Sequence, residues 1–254
     1  MRTRLVLCVL AATGIAAAAA AGPAKFVPPP ESAIPDGEFG KLVRLGRAIV
    51  ADTKKYAGAY VGNDLKCGNC HLDAGRQANA APLWAAYVSY PRYREKTKRV
   101  DTFAERLQDC FRYSMNGSAP ALDSDVLNAL AAYSFWLATG APVNTAMAGA
   151  GFPAVARPAE AADYARGQAV YAAKCTACHG ASGEGLKSGG TQVFPPLWGA
   201  RSFNRGAGMQ QVETAASFIK ANMPLGQGGS LSDQEAWDVA HFMTSHERPQ
   251  DPRR

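Results

Sequence analysis

The sequence predicts a mainly α-helical chain: two small domains of one design, joined by a long linker rich in Gly, Ala and Pro. Three observations predict this. The pattern Cys-x-x-Cys-His occurs twice, as Cys67-Gly68-Asn69-Cys70-His71 and as Cys175-Thr176-Ala177-Cys178-His179. Each copy lies among apolar residues that recur at helical spacing, with few runs that alternate as a strand would. Between the copies, residues 139–160 lose that periodicity and turn to Gly, Ala and Pro. A chain of 254 residues has room for about two domains of ordinary size.

Cys-x-x-Cys-His is the attachment pattern of c-type haem. Two thiols three residues apart can form thioethers to the two vinyl groups of one haem, and the adjacent His then lies under the iron. A zinc site and a thioredoxin-like redox pair are the rivals. Zinc would need two further Cys or His ligands at each motif, and the chain has only four His and six Cys. The repetition of the whole five-residue pattern favours two covalent haems c, held by Cys67, Cys70 and His71 and by Cys175, Cys178 and His179. Each domain is therefore expected to be cytochrome c-like, with haem supplying much of its core.

Residues 1–22 read as a secretory signal. Arg2 and Arg4 form a positive start, Leu5 to Ala20 an apolar core, and small residues offer cleavage near Ala21 or Ala24. Cys8 lies inside that segment, and Leu7 before it argues against a lipoprotein signal. No later apolar run is long enough to span a bilayer, so the mature protein is expected in a periplasm, where c-type haem is attached. Removing the signal lowers the net charge from +6 to +4, because Arg2 and Arg4 leave with it. So mild an excess suits an anionic small substrate or an acidic partner, and equally plain solubility. Five Cys remain, and the motifs use four, which leaves Cys110 alone.

The first domain is expected over residues 23–138. A Pro-rich lead, residues 27–37, runs extended. Phe39, Leu42, Leu45, Ile49 and Val50 mark a helix over 38–57, and the first haem motif follows in a Gly-rich setting. Pro82-Leu83-Trp84 comes next, then Tyr87, Tyr90 and Tyr93. A helix over 101–115, capped by Asp101 or Thr102, carries Phe103, Leu107, Cys110 and Phe111 on one face. Another, over 123–137, carries Val126, Leu127, Leu130, Tyr133, Phe135 and Trp136. The second domain is expected over 161–254. Residues 161–177 read as one helix running into the second motif, with Gly167, Val170 and Tyr171 on its packing face. A second Pro-Leu-Trp, 196–198, a helix over 212–221 and Met223-Pro224 follow. Ser232-x-x-Glu235 opens a last helix, through Ser245, with Trp237, Val239, Ala240 and Met243 at helical intervals.

The ligand opposite each His decides what each haem does. Met223 stands 44 residues beyond His179 in a loop before proline, and Met115 stands 44 residues beyond His71. A His/Met pair is the usual electron-transfer arrangement. Met209 and Met243 are rivals to Met223, while His241 suits a surface or core position better. At the first haem Cys110 competes with Met115. Arg106 and Arg112 flank it and would favour its thiolate, which lowers the potential of its iron relative to a thioether. A lone Cys is more often a buried, inert residue.

The run Cys110-Phe111-Arg112-Tyr113-Ser114-Met115-Asn116-Gly117, preceded by Glu105-Arg106 and following Leu65-Lys66-Cys67-Gly68-Asn69-Cys70-His71-Leu72, resembles the dihaem thiosulfate dehydrogenases. The similarity extends over nearly the whole mature chain. It implies His71 and Cys110 as the axial pair of the catalytic haem, and His179 and Met223 as that of the electron-transfer haem. Some members of that family carry a Lys beside the Met that can replace it; here the neighbour is Asn222 and the nearest Lys is Lys220. The reaction implied is 2 thiosulfate ⇌ tetrathionate + 2 electrons, with a periplasmic acceptor such as a small cytochrome c. A dianion requires cationic and donor groups, which Arg106 and Ser114, one turn either side of Cys110, could supply. Arg92, Arg94, Lys96, Lys98 and Arg99 could add to them or form a solvated charged stretch. Competing expectations are a non-catalytic dihaem carrier that uses Met115 and a haem subunit of a larger sulfur-oxidising complex.

Overall fold

The computed structural model describes residues 25–143 and 145–253; residues 1–22, read from the sequence as a secretory signal, and Cys8 with them, lie outside the described residues. The first unit begins with α1 (Gly37–Ala51) and α2 (Thr53–Ala57). The helix expected over 38–57 is thus two helices, because Asp52 leaves the helical conformation and its carboxylate accepts from the Lys55 amide at 3.2 Å. Asp52 thereby caps a new start. Val43, Ile49 and Val50 are buried, but Phe39 and Leu45 are exposed, against the sequence expectation. Phe39 sits beyond the end of the core, edge-on to the equally exposed Phe135.

The haem motif leads into α3 (Leu72–Gly75), a turn in which Asp73 and Ala74 take left-handed backbone angles, and then α4 (Leu83–Val88). Next comes an antiparallel hairpin that the sequence pattern did not announce, β1 (Arg92–Arg94) with β2 (Arg99–Asp101). Ion pairs rather than alternating apolar residues hold it: Arg94 reaches Asp101 at 2.9 Å and Asp109 at 2.7 Å. Then α5 (Phe103–Asp109) starts on a full capping box, in which Thr102 and Glu105 exchange hydrogen bonds. The helix expected to 115 stops at Asp109. Residues Cys110–Ser114 form a π turn, closed by the Met115 amide on the Cys110 carbonyl at 2.9 Å. Single π turns inside helices are frequent at functional sites. The unit closes with α6 (Asp125–Leu137), begun by the Ser124 cap, which buries Leu127, Leu130, Tyr133 and Trp136.

No helix occurs between Leu137 and Tyr164 among the described residues. The second unit opens with α7 (Tyr164–Lys174), which starts later than expected because Asp163 caps it and ends earlier because Cys175 leaves the helical conformation. The second haem motif occupies its own turn, α8 (Thr176–His179). A hairpin of β3 (Leu186–Ser188) and β4 (Thr191–Phe194), α9 (Val212–Asn222) and α10 (Asp233–Ser245) complete the chain. The Ser232/Glu235 capping box at the start of α10 is present as read.

Each unit is closed by the crossing of its first and last long helices, α1 with α6 and α7 with α10. Both crossings run over a glycine. A Cβ on Gly46 would lie 2.0 Å from the Ala129 carbonyl oxygen, and one on Gly167 would lie 2.1 Å from that of Asp238. Backbones this close admit no side chain, so the two glycines set the helix separation in their domains.

The units are joined by buried polar contacts. Asn63, fully buried, donates to the carbonyls of Ser114 and Ser202 at 2.8 and 3.1 Å. Asn204 Nδ2 donates back to the Arg112 carbonyl at 2.8 Å and to Asn116 Oδ1 at 3.0 Å. Asp64 takes Lys54 from its own unit and Arg201 and Lys187 from the other. Buried amides with all partners in place hold a unique docking geometry, because any shift would strand them.

Candidate haem sites

In the first unit the π turn and the haem motif face one cavity of about 50 Å³, lined by Cys67, Cys70, His71, Cys110, Ser114 and Met115 among others. In the second, an apolar cavity of about 300 Å³ is lined by Cys175, Cys178, His179 and the three methionines Met209, Met223 and Met243. Leu65, Lys66, Asn69, Cys70, Phe203 and Met209 line both, so the two cavities share a wall. Paired thiols beside an imidazole on an apolar cavity form the donor set that a c-type haem takes. Among the described residues no three His, Cys, Asp or Glu converge as a zinc cage would require.

Both proximal imidazoles are oriented in one way. The His71 Nδ1 lies 2.6 Å from the Ala81 carbonyl oxygen, and the His179 Nδ1 lies 3.0 Å from that of Pro195. Nδ1 as donor leaves Nε2 as the free, metal-binding nitrogen. Ala81 and Pro195 are the residues immediately before the two Pro-Leu-Trp triplets. The repeat seen in the sequence therefore carries the carbonyl that orients the His of each motif. Burial also lowers the pKa of His179, which favours the neutral ring that a metal needs.

The distal sides differ. In the first unit Arg106 Nη1 lies 2.9 Å from Cys110 Sγ, and His71 lines the same cavity as that thiol. Burial pushes the Cys110 thiol up, but Arg106 and His71 outweigh it and bring it down to about 7. The attachment thiols go the other way: burial holds Cys67 at about 11, Cys70 at about 12 and Cys175 at about 11. Arg112, expected beside Cys110 as a second cation, instead pairs with Asp109 at 3.6 Å, because the π turn carries it outward. Met115 is buried on the same cavity, next to Ser114.

The cationic stretch 92–99 is mostly committed elsewhere. Arg94 is locked to Asp101 and Asp109, Arg99 to Asp101 and Glu105, and Lys98 to Glu95. Arg92 lies over the Tyr90 ring. Lys96 turns inward: its ammonium is 3.3 Å from the Tyr113 ring centroid and donates to the Gly206 carbonyl at 2.7 Å. Burial lowers it to about 8, and it feels the charge of Arg106. In the second unit Met223 is the first residue beyond α9, on extended backbone, whereas Met243 is buried inside α10 and Met209 stands in the wall between the cavities. Sequence reasoning missed Asn63, Asn204, Gln77 and Asn222, whose amides tie the two sites together; their partners lie far away in the chain, so no local pattern marks them.

Residues 55–143 match the SoxA/TsdA cytochrome c domain, and residues 162–243 match the cytochrome C oxidase, cbb3-type, subunit III family. The thiosulfate dehydrogenase of Thiomonas intermedia (strain K12) is 63% identical over 91% of this chain and 73% of its own length. That of Stutzerimonas stutzeri (strain A1501) is 57% identical over 92% of this chain and 76% of its own. The solved thiosulfate dehydrogenase (TsdBA) from Marichromatium purpuratum superposes with a TM-score of 0.88 at 54% identity over 91% of this chain, which spans about half, 51%, of that longer chain. Both units thus match cytochrome c domains, the class that binds haem c, and the chain belongs to the thiosulfate dehydrogenase family.

Proposed function

We propose that the chain oxidises two thiosulfates to tetrathionate at a His71/Cys110 haem and passes the electrons out through a His179/Met223 haem. The observation that carries this reading is the Arg106–Cys110 contact on the cavity of the first motif. Haem c at the two motifs supplies a pair of one-electron acceptors. What the protein adds is an anion site and a reactive sulfur. Arg106 and, farther out, Lys96 attract the thiosulfate dianion toward Cys110, and Ser114 lines the same cavity. Arg106 also holds Cys110 as thiolate, the form that both ligates iron and attacks sulfur.

A balanced sequence follows from that thiolate. Cys110–S⁻ and the sulfane sulfur of one thiosulfate would join as Cys110–S–S–SO₃⁻, giving up two electrons that haem c held at the two motifs would be able to accept. The sulfane sulfur of a second thiosulfate then attacks the outer sulfur of that disulfide. Tetrathionate leaves and the Cys110 thiolate is restored, as in ordinary thiol–disulfide exchange. Among the described residues no helix is long and apolar enough to cross a membrane. Together with the signal-like residues 1–22, this supports a periplasmic protein that reduces a carrier such as a small cytochrome c.

Replacing Cys110 with Ser or Met, with both haems loaded, tests the reading. Turnover falls by at least about 10³-fold if the sulfur takes part. Full turnover in either variant would exclude the thiol. In the wild type, a thiolate-ligated low-spin resonance signal assigns Cys110; its absence, with a thioether signature at both irons, assigns Met115 and leaves a two-centre carrier.

A further inference from the structure

Asn222 precedes Met223 and is 3% exposed, although it ends a helix. Its side-chain amide is fully engaged. Nδ2 donates to the Phe218 carbonyl one turn back at 3.0 Å and to the Asn79 carbonyl at 2.9 Å. Oδ1 accepts from Gln77 Nε2 at 2.9 Å. Both N–H donors and the carbonyl of one buried amide are therefore satisfied, two of the three contacts coming from the other domain. Beyond Met223, residues 225–230 are exposed and held by backbone turns alone, including the Gly229 amide on the Lys220 carbonyl at 2.7 Å, until Ser232 caps α10. Met223 thus lies between one buried anchor and one exposed loop.

The partner loop is itself tied to the first haem site. Asn79 and Ala81 both hold left-handed backbone angles, at φ of 65° and 46°, which non-glycine residues adopt only under restraint. The restraint is visible: the Asn79 amide donates to the Gly149 carbonyl at 2.7 Å and the Ala81 amide to that of Gly151 at 2.8 Å. The Ala81 carbonyl orients His71. One loop, residues 77–81, therefore sets the proximal imidazole of the first site and clamps the residue beside Met223.

We propose that Asn222 is a positioning residue for Met223, held from the opposite domain by Gln77 and the Asn79 carbonyl, so that domain docking places the thioether of the second haem site. The proposal rests on the reading of Met223 as that haem's ligand. Without the clamp, the Met223 segment gains the freedom of the exposed loop beyond it, and the thioether yields more readily to an external ligand.

The test is an imidazole titration of the ferric, fully loaded protein, followed through the sulfur-to-iron charge-transfer band of the second haem. The first haem's spectrum serves as an internal control. Asn222→Ala raises the apparent imidazole affinity at the second haem roughly three- to ten-fold, and Gln77→Ala roughly two- to five-fold, the range expected for losing net hydrogen bonds. Gln77 is exposed, so Gln77→Ala decides the matter even if Asn222→Ala fails to fold. Wild-type titrations in both variants would overturn the clamp. Met223→Ala separates the two ideas: loss of the band upholds the ligation on which the clamp rests, and its survival removes ligation and clamp together.

Discussion

On the proximal side of each haem site, a His donates through Nδ1 to the carbonyl just before a Pro-Leu-Trp, and a glycine lets the flanking helices cross. On the distal side nothing matches. The first domain presents a thiol on a π turn beside the half-buried Arg106 guanidinium, in a small cavity; the second presents thioethers in a larger apolar one. The difference teaches where specialisation occurred. Both copies share the motif and the carbonyl that orients its His, and they differ in what faces it: a π turn carrying Cys110 in the first, methionines in the second. A thiolate with a nearby cation lowers the potential of its iron and offers a nucleophile, whereas a thioether raises the potential and is inert.

The comparison breaks most sharply at Arg106, which has no counterpart across the wall. Arg106→Gln lowers kcat/KM for thiosulfate by about 10²-fold, the usual loss for one buried transition-state donor. The second haem's spectrum stays unchanged. Steady-state rates alongside spectra of both haems check this, and equal disturbance of both sites would show that Arg106 serves folding instead. The shared scaffold is probed next. Gly46→Ala and Gly167→Ala each force a methyl group against a facing carbonyl, and each costs about 1–3 kcal/mol as an overpacked helix contact. Thermal unfolding of the two variants in parallel is the measurement. Matching losses sharpen the comparison, and a tolerated Gly46→Ala would end the equivalence of the crossings.

The smallest effect concerns the seam between the domains. Arg201 and Lys54 hold the Asp64 carboxyl well below the usual carboxylate range, despite its partial burial. With a depressed folded-state pKa, its stabilisation is complete above the unfolded value near 4 and is lost as pH falls through the folded one. Acid unfolding of Asp64→Asn is accordingly less steep below about pH 4 than that of the wild type. Denaturant titrations across that range compare the two, and identical slopes would remove Asp64 from the seam.

Much of this was readable beforehand where the signal is local. The haem motifs, the Ser232/Glu235 box, the Thr102 cap and the core positions Val50, Leu107, Leu130 and Trp237 depend on spacing within one or two turns. Cys110 and Arg106 could be paired because a helix brings positions four apart together. What spacing could not show is the π turn, since one widened turn leaves the apolar periodicity almost unchanged while moving Arg112 away from the thiol. Nor could it show the hairpin of residues 92–101, held by Arg94 rather than by alternating side chains. The domain seam was equally silent: Asn63, Asn204 and Asn222 look like ordinary polar residues until the fold brings distant carbonyls to them.

The Gly/Ala/Pro stretch between the domains has a practical bearing on how the molecule can be divided. Its Gly149 and Gly151 carbonyls brace the loop that carries Ala81, while Phe152 already rests on Phe218 of the second unit and Ala156 accepts from Trp237. A truncation at residue 138 would amputate part of the first haem's own support. The natural place to sever the halves, for chimaeras or single-haem fragments, is the peptide bond between 151 and 152.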